Sequence, residues 1–181
     1  MKRLALPIAV GLVLAGIVHL VSVLIMPNFA ERDAYSRLSV IGSTNTVAQM
    51  DDPTPFGAVL PATDPAFVTA ICLYDLGEGP LRLRVPTSGD YTSVSFYTKR
   101  GLAFYAINDR SAGRRVIELD LMNAKQKAAL PDDEEVTAAD RLIVVAPENE
   151  GIVLMRALSR ERGARDEVKR RMDAATCGAA S

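Results

Sequence analysis

An apolar segment at the start of the chain constrains its structure more than any other feature. Residues 4–26 carry no formal charge, follow Lys2 and Arg3, and precede a charged stretch at residues 31–33. As a helix, these about 23 residues would be about 34 Å long, enough to cross a hydrocarbon core of about 30 Å. The segment predicts an N-terminal transmembrane anchor over residues 1–27.

Two other structures compete with this interpretation. A cleaved secretory signal would have an apolar stretch of about 7–15 residues and a small residue two positions before the cut, whereas residues 28–30 are Asn, Phe and Ala. A buried helix of a soluble domain would show a polar face, which this segment lacks. The positive-inside rule places Lys2 and Arg3 in the cytoplasm and the chain after Met26 on the far side.

The single histidine, His19, lies inside the predicted span. An intramembrane histidine can serve a proton path, but no intramembrane acid, lysine or arginine accompanies it, which favours a neutral imidazole near a helix partner or the interface. Outside the span, a Ser-His-Asp triad and a histidine-ligated metal site are excluded. The sequence therefore predicts no cofactor and no metal.

The charge distribution argues against a nucleic-acid partner. The whole chain has a net charge of −1, and removing Lys2 and Arg3 leaves −3 for the part after the anchor, without the basic footprint that nucleic acid requires. An acidic stretch covers residues 132–150, and a basic stretch covers residues 156–171. Such runs are typical of solvated faces, and a docking surface is the alternative.

The two cysteines, Cys72 and Cys177, show neither metal-site nor CxxC spacing. In an oxidising compartment they could form a disulfide that closes a loop of about 105 residues. The alternative is a buried free Cys72 and a loose Cys177 near a frayed terminus.

Periodicity after residue 65 is that of β-strands. Residues 67–75 form an apolar run typical of a central strand, and residues 81–85 alternate apolar side chains with arginine. Residues 91–98 and 102–107 predict a hairpin with a turn at 99–101. Further predicted strands are a short one around Phe56, Val59 and Leu60, one over residues 116–121, and a hairpin of residues 141–146 with 151–158. Two helices are also predicted: one capped by Asn123 that ends at Leu130, and one capped by Ser159 that ends at about Ala175, with Val168 and Met172 on its inner side.

These elements predict a mainly β fold, an antiparallel β-sandwich with an N-terminal transmembrane helix and a C-terminal α-helix. The predicted domain organisation is the anchor at 1–27, a juxtamembrane segment at 28–65 rich in Ser, Thr, Asp and Pro, and the β-sandwich domain with its C-terminal helix at 66–181.

Short motifs within residues 64–110 carry a family resemblance. They are Cys72, Tyr74-Asp75-Leu76, Gly79-Pro80, Val85-Pro86, Gly89-Asp90-Tyr91 and Asn108-Asp109-Arg110, with a weaker extension through Gly151-Ile152-Val153 to Cys177. The chain resembles the domain of unknown function 1254, in particular its short single-span membrane forms from alphaproteobacteria. The resemblance implies a β-sandwich fold. With the anchor, it gives the expected location: a protein held in the bacterial inner membrane by its N-terminal helix, with the β-sandwich domain in the periplasm. It also implies a partner, the domain of unknown function 1214. Longer members carry this domain fused to the first one, whereas in the short forms it is expected on a separate membrane protein that is encoded nearby.

Candidate ligand-binding residues lie on and after the predicted central hairpin. Tyr91, Tyr97 and Tyr105 are either cross-strand packing residues or a platform for a sugar or peptide. Asp109 and Arg110 follow Asn108 in a predicted Asx-type turn that is also a weak ligand-site candidate. Four acids, Asp75, Asp90, Asp109 and Glu118, have the type needed for a catalytic carboxylate pair; turn formation is their more ordinary role. Catalytic residues are not identified.

Two functions remain open at the level of sequence. The first is a non-catalytic envelope protein whose sandwich docks onto a second membrane-anchored β-sandwich protein. The second is a carbohydrate- or small-molecule-binding domain, or an enzyme, that uses Asp, Arg and Tyr residues of the central hairpin. A lone span without intramembrane charge argues against a channel or transporter.

Overall fold

The computed structural model describes residues 2–26, 33–54, 59–60, 63–113, 115–130 and 142–180. The chain divides into two units, Met1–Arg32 and Asp33–Ser181. The first unit contains helix α1 (Lys2–Ile25). Within α1, the 21 residues Ala5–Ile25 are long and apolar enough to cross a membrane, and this window is fully exposed in the structure. An apolar helix of this kind is therefore confirmed, although a signal sequence near an N-terminus can meet the same criteria of length and composition.

The second unit is mostly β. Its strands are β1 (Val47–Gln49), β2 (Phe67–Asp75), β3 (Leu81–Pro86), β4 (Thr92–Thr98), β5 (Ala103–Asn108), β6 (Val116–Asn123), β7 (Leu142–Ala146), β8 (Glu150–Leu158) and β9 (Thr176–Ala179). Its helices are α2 (Ala34–Leu38), α3 (Asp109–Ala112), α4 (Ala124–Ala128) and α5 (Arg165–Asp173).

The strands form two sheets. The five-stranded sheet has the order β1-β2-β8-β4-β5, and all its neighbours are antiparallel. The four-stranded sheet has the order β7-β6-β3-β9, in which β7 runs parallel to β6. The prediction of a wholly antiparallel arrangement is therefore wrong at this one pair, while the mainly β class is confirmed.

The predicted hairpin of residues 141–146 with 151–158 is also wrong. Its two strands, β7 and β8, belong to different sheets. Strand β8 instead pairs along its whole length with β2, from Phe67 opposite Leu158 to Asp75 opposite Glu150, and pairs on its other side with β4. Strand β8 is largely buried on both faces. It is therefore better suited to a central position between two strands than to a hairpin with the shorter β7.

The predicted local elements agree only in part with the structure. The hairpin of β4 and β5 is confirmed, as is the Asn123 cap, whose side chain accepts a hydrogen bond from the Gln126 amide in a capping box. The terminal helix exists and buries Val168 and Met172, but it begins at Arg165, and the Ser159 hydroxyl donates to the Glu161 carbonyl instead of capping it. Residues 59–60 form a bend rather than a strand. Phe56 lies outside the described residues.

One hydrophobic cluster joins the two sheets. Buried residues of the five-stranded sheet, such as Val68, Phe96 and Val153, share it with Leu83 and Leu119 of the four-stranded sheet. Full burial of such a side chain contributes about 1.5–3 kcal/mol, so this cluster is the main source of stability. A second cluster, which includes Leu38 of α2, covers part of the opposite, outer face of the five-stranded sheet.

One side of the two-sheet unit is closed by a covalent bond. Cys72 of β2 and Cys177 of the edge strand β9 form a disulfide with Cα atoms 6.5 Å apart, which confirms the pairing considered from sequence. The neighbouring edge strand β1 is tied to α5, because the Gln49 side chain donates to the Lys169 carbonyl at 2.8 Å. We call this the closed side.

An ion cluster reinforces the closed side. Nε of Arg165 lies 3.0 Å from the Asp52 carboxylate, and Nζ of Lys169 lies 3.0 Å from its second oxygen. Arg165 also donates to the carbonyls of Pro65 and Phe67. Hydrogen bonds from Arg165, and then from Lys169, lower the pKa of Asp52 to about 2. The cluster pins the segment before β2 onto α5.

The disulfide predicts a large loss of stability in Cys177→Ala. The bond closes a loop across 105 residues. In the chain-entropy model, closing such a loop raises the free energy of unfolding by at most about 4–5 kcal/mol. Chemical denaturation in detergent should show a loss approaching this value. Gly178→Ala is the control, because a Cβ there meets nothing within 4 Å. If reducing agent leaves the stability of the wild-type protein unchanged, the bond does not hold the two sheets together.

Asp52→Asn should destabilise the protein in a pH-dependent manner. A carboxyl whose pKa is lowered on folding stabilises the native state above its unfolded pKa of about 3.9, and this contribution disappears as the pH falls towards 2. Since the Asp52 side chain is 48% exposed, we expect a difference of less than about 1 kcal/mol at pH 6. Unfolding curves of both proteins from pH 6 to 2 should converge, and Asp51→Asn serves as the control. A difference that grows on acidification would contradict this role.

Candidate functional site

The three hairpin tyrosines do not form one platform. Tyr105 lies on the inner face of the five-stranded sheet, with its ring centroid 5.9 Å from that of Phe96. Tyr97 packs against the second cluster on the outer face. Tyr91 precedes β4 and makes an edge contact with Phe67 at 6.3 Å. Tyr97 and Tyr105 are therefore packing residues of the sheet, which is the first of the two roles considered from sequence.

Asp109 and Arg110 serve local structure. They begin the short helix α3, where the Asn108 side chain accepts a hydrogen bond from the Ser111 amide at 2.9 Å and acts as the N-cap. The Asp109 carboxylate accepts from the Arg110 amide at 3.0 Å. The predicted Asx-type turn is thereby present, and neither side chain makes a described contact with the three tyrosines.

The remaining candidate acids are each engaged separately. Asp75 accepts a hydrogen bond from the Gly77 amide at 2.8 Å in a turn, Asp90 lies 3.2 Å from Arg160, and Glu118 lies 2.8 Å from Arg84. The described part of the chain contains no group of three or more His, Cys, Asp or Glu side chains that could hold a metal. A convergent catalytic carboxylate pair is therefore not visible among the described residues.

Most of the basic C-terminal residues are neutralised by acids. Besides Arg160, Arg165 and Lys169, both Arg170 and Arg171 bind Glu167 and lower its pKa, mainly through the Arg170 hydrogen bond. At the hairpin tip, Lys99 pairs with Glu150, which raises the lysine pKa, and lies 4.9 Å from the ring of Tyr35. Some of these pairs join two elements, whereas the Glu167 pairs lie within α5; all are partly exposed, as expected for a solvated face.

An open groove lies on the side opposite the disulfide, where the edge strands β5 and β7 approach each other. It has a volume of about 550 Å³ and is lined by Phe104, Asn123, Ala124, Lys125, Val145, Ala146, Pro147 and Asn149. Within the described residues, β7 pairs with β6 alone and its outer edge carries no strand. Leu142 and Val145 of this strand are each 37% exposed. We call this region the open side.

A second feature, which sequence reasoning missed, occupies the outer face of the five-stranded sheet. Arg156 of β8 lies between Thr69 of β2 and Ser93 of β4 in the strand register. The sequence signal is a charged residue inside the apolar run 152–158, although Arg156 also belongs to the basic C-terminal stretch. Of these two regions, only the open side borders a groove, and it is the candidate site in the described structure.

Comparison with known structures identifies the fold. The crystal structure of the VPA0106 protein from Vibrio parahaemolyticus matches with a TM-score of 0.59 at 12% identity, over 81% of this chain and 34% of that one. An uncharacterized protein from Burkholderia cenocepacia matches with a TM-score of 0.45 at 16% identity, over 72% and 37% of the two chains. This chain thus spans about a third of the length of these proteins. No curated protein matches the sequence.

The family comparison agrees with the sequence motifs. The family described as "Protein of unknown function (DUF1254)" matches residues 44–178, which include all strands from β1 to β8 and most of β9. This match covers well over half of the chain. The protein therefore belongs to the DUF1254 family.

Proposed function

We propose that this chain is a single-pass protein of the bacterial inner membrane whose periplasmic β-sandwich binds a second membrane-anchored β-sandwich protein without catalysing a reaction. The apolar span Ala5–Ile25 of α1, which follows the basic residues Lys2 and Arg3, supports the anchor and a cytoplasmic N-terminus. The disulfide supports an oxidising compartment for the folded domain. The two sheets with a shared core support the sandwich architecture.

The observation that carries the proposed docking is the open side. A strand edge that carries no neighbour presents backbone N–H and C=O groups that can pair with a strand of another protein. At β7 this edge lies beside the apolar side chains of Phe104 and Val145. Strand addition along residues 142–146 would satisfy the edge and cover both side chains.

A second β domain is the occupant that best fits this edge. The family fold occurs within a crystallised protein of which this chain covers 34%, so the fold is compatible with additional chain beside it. The resemblance noted from sequence implies a 1214-type sandwich domain as the neighbour. If both proteins are anchored in one membrane, confinement raises their effective concentration, so that a modest interface suffices.

Photocrosslinking in intact cells can test this docking. A photoreactive amino acid at position 145 should crosslink to one membrane-anchored protein with a predicted β-sandwich domain. The same amino acid at position 40 is the control, because Val40 is 85% exposed but lies after α2, away from the groove-lining residues. Val145→Glu should abolish co-purification of that protein from mild detergent, because an apolar contact is replaced by a buried charge, whereas Val40→Glu should preserve it.

The contrary results are equally specific. Equal crosslinking from positions 40 and 145, or undiminished co-purification with Val145→Glu, would show that the open side is not the docking surface. Unfolding curves of both variants separate loss of binding from loss of folding.

A further inference from the structure

The groove on the open side is lined by both apolar and polar side chains. Its apolar lining includes Phe104 of β5 with Val145 and Pro147 at the end of β7, and its polar lining is Asn123, Lys125 and Asn149. The Phe104 ring also contacts Phe96 of the shared core, with ring centroids 6.0 Å apart. An occupant that fits this groove must therefore present an apolar group and a polar group side by side.

A hydrogen-bond network holds Asn149 in place. Nδ2 of Asn123 donates to Oδ1 of Asn149 at 3.0 Å, and Asn123 is itself fixed by its capping box with Gln126. Nε2 of Gln126 donates to the Leu76 carbonyl at 2.8 Å, while the Asn149 carbonyl accepts from the Leu76 amide at 2.9 Å. Because the oxygen of its side chain is engaged, Asn149 keeps its Nδ2 group as an oriented donor at the groove.

Lys125 gives the groove a positive charge. It is the only charged side chain among the described lining residues, it is exposed to solvent, and it forms no ion pair with a described residue. Glu148, between Pro147 and Asn149 in sequence, lies 3.5 Å from Arg100. The accessible groove thus carries a net charge of one and two donors, Nζ of Lys125 and Nδ2 of Asn149, that have no described acceptor.

On the basis of the docking proposed for β7, we propose that the partner's added strand carries a carboxylate side chain that accepts hydrogen bonds from Lys125 and Asn149. An apolar side chain of the same strand packs against Phe104 and Val145. Charge-assisted hydrogen bonds of this kind are stronger than neutral ones. A wholly apolar segment would cover the Asn149 donor without supplying an acceptor, and a basic segment would be repelled by Lys125.

The strand geometry sets the spacing of the two groups. Side chains on one face of a strand are two residues apart, or about 6.6–6.8 Å along its axis. Because both groups enter the same groove, the partner segment has its apolar and acidic residues at positions i and i+2. The occupant is therefore an extended acidic segment with an apolar-x-acidic or acidic-x-apolar pattern.

The protein that crosslinks to position 145 in intact cells is the probe for this contact. It is purified in mild detergent, and its dissociation constant is measured with the full-length chain. Lys125→Gln should weaken binding about threefold, as for an exposed ion pair, and Lys125→Glu about tenfold because it adds repulsion. Asn149→Asp, which keeps the oxygen that accepts from Asn123, should also weaken binding about tenfold. Added salt should weaken the wild-type complex more than that of Lys125→Gln.

Lys127→Glu is the matched control. Lys127 belongs to the same helix α4 and is exposed, but it is absent from the groove-lining residues. The same reversal of charge should therefore leave the dissociation constant as in the wild-type protein.

Mass spectrometry of the crosslinked peptide identifies the partner segment at position 145. We expect an aspartate or glutamate two positions from an apolar residue in that segment. Replacing this acid with lysine should weaken binding to the wild-type chain and restore binding to Lys125→Glu. A segment without such an acid, or a replacement that restores nothing, would overturn the proposal.

The outcomes separate the carboxylate contact from the docking itself. A crosslink from position 145 combined with equal affinities of the wild-type, Lys125→Glu and Asn149→Asp chains would overturn the contact and leave the docking surface in place. Absence of that crosslink in the wild-type chain would remove both. Unfolding curves report whether each variant is folded, and because Lys125 is exposed, Lys125→Gln keeps the test decisive even if Asn149→Asp fails to fold.

Discussion

The bond between Cys72 and Cys177 is the covalent constraint that fixes one side of the two-sheet unit. It links β2, next to the edge of one sheet, with β9, the edge of the other. The same side carries the Gln49 contact to α5 and the Asp52 ion cluster. Three independent contacts therefore fix the closed side, while the opposite side is held by the shared core. Among the described residues, the β5 and β7 edges lack such contacts, and our proposal places the docking partner there.

The asymmetry is compatible with the docking that we propose for this chain. A domain that docks through a strand edge needs that edge to be rigidly presented but unpaired. Here, a covalent bond and ion pairs on one side hold the two sheets in place without occupying the other side.

Local elements were predictable because their signals are local. Alternation of leucine and arginine over residues 81–85, the hairpin turn at Gly101 and the Asn123 capping box each depend on a few neighbouring residues. The position of β8 depends instead on pairing with β2, some eighty residues away, which outweighs the short connection to β7. Edge strands β1 and β9 were missed because three or four residues carry too little periodicity to be recognised.

The candidate sites were less predictable than the fold, because they depend on which residues the sheets bring together. The hairpin tyrosines were recognised by type, but Tyr105 lies opposite Phe96 whereas Tyr97 follows Phe96 on β4, so that alternation places Tyr97 and Tyr105 on different faces. Ser93 has no distinguishing mark in the sequence until its register places it beside Arg156. The groove between β5 and β7 likewise requires knowledge that β7 is parallel to β6 and lies at an edge.

Hydrogen–deuterium exchange of the backbone amides tests the central claim most directly, namely that the side opposite the disulfide is where a partner binds. The measurement compares the purified chain with the same chain extracted in its native membrane complex. Our account predicts slower exchange in the complex at residues 142–146 and 103–108, with unchanged exchange at residues 47–49 and 176–179. Protection confined to β1 and β9, or identical exchange in both samples, would contradict it.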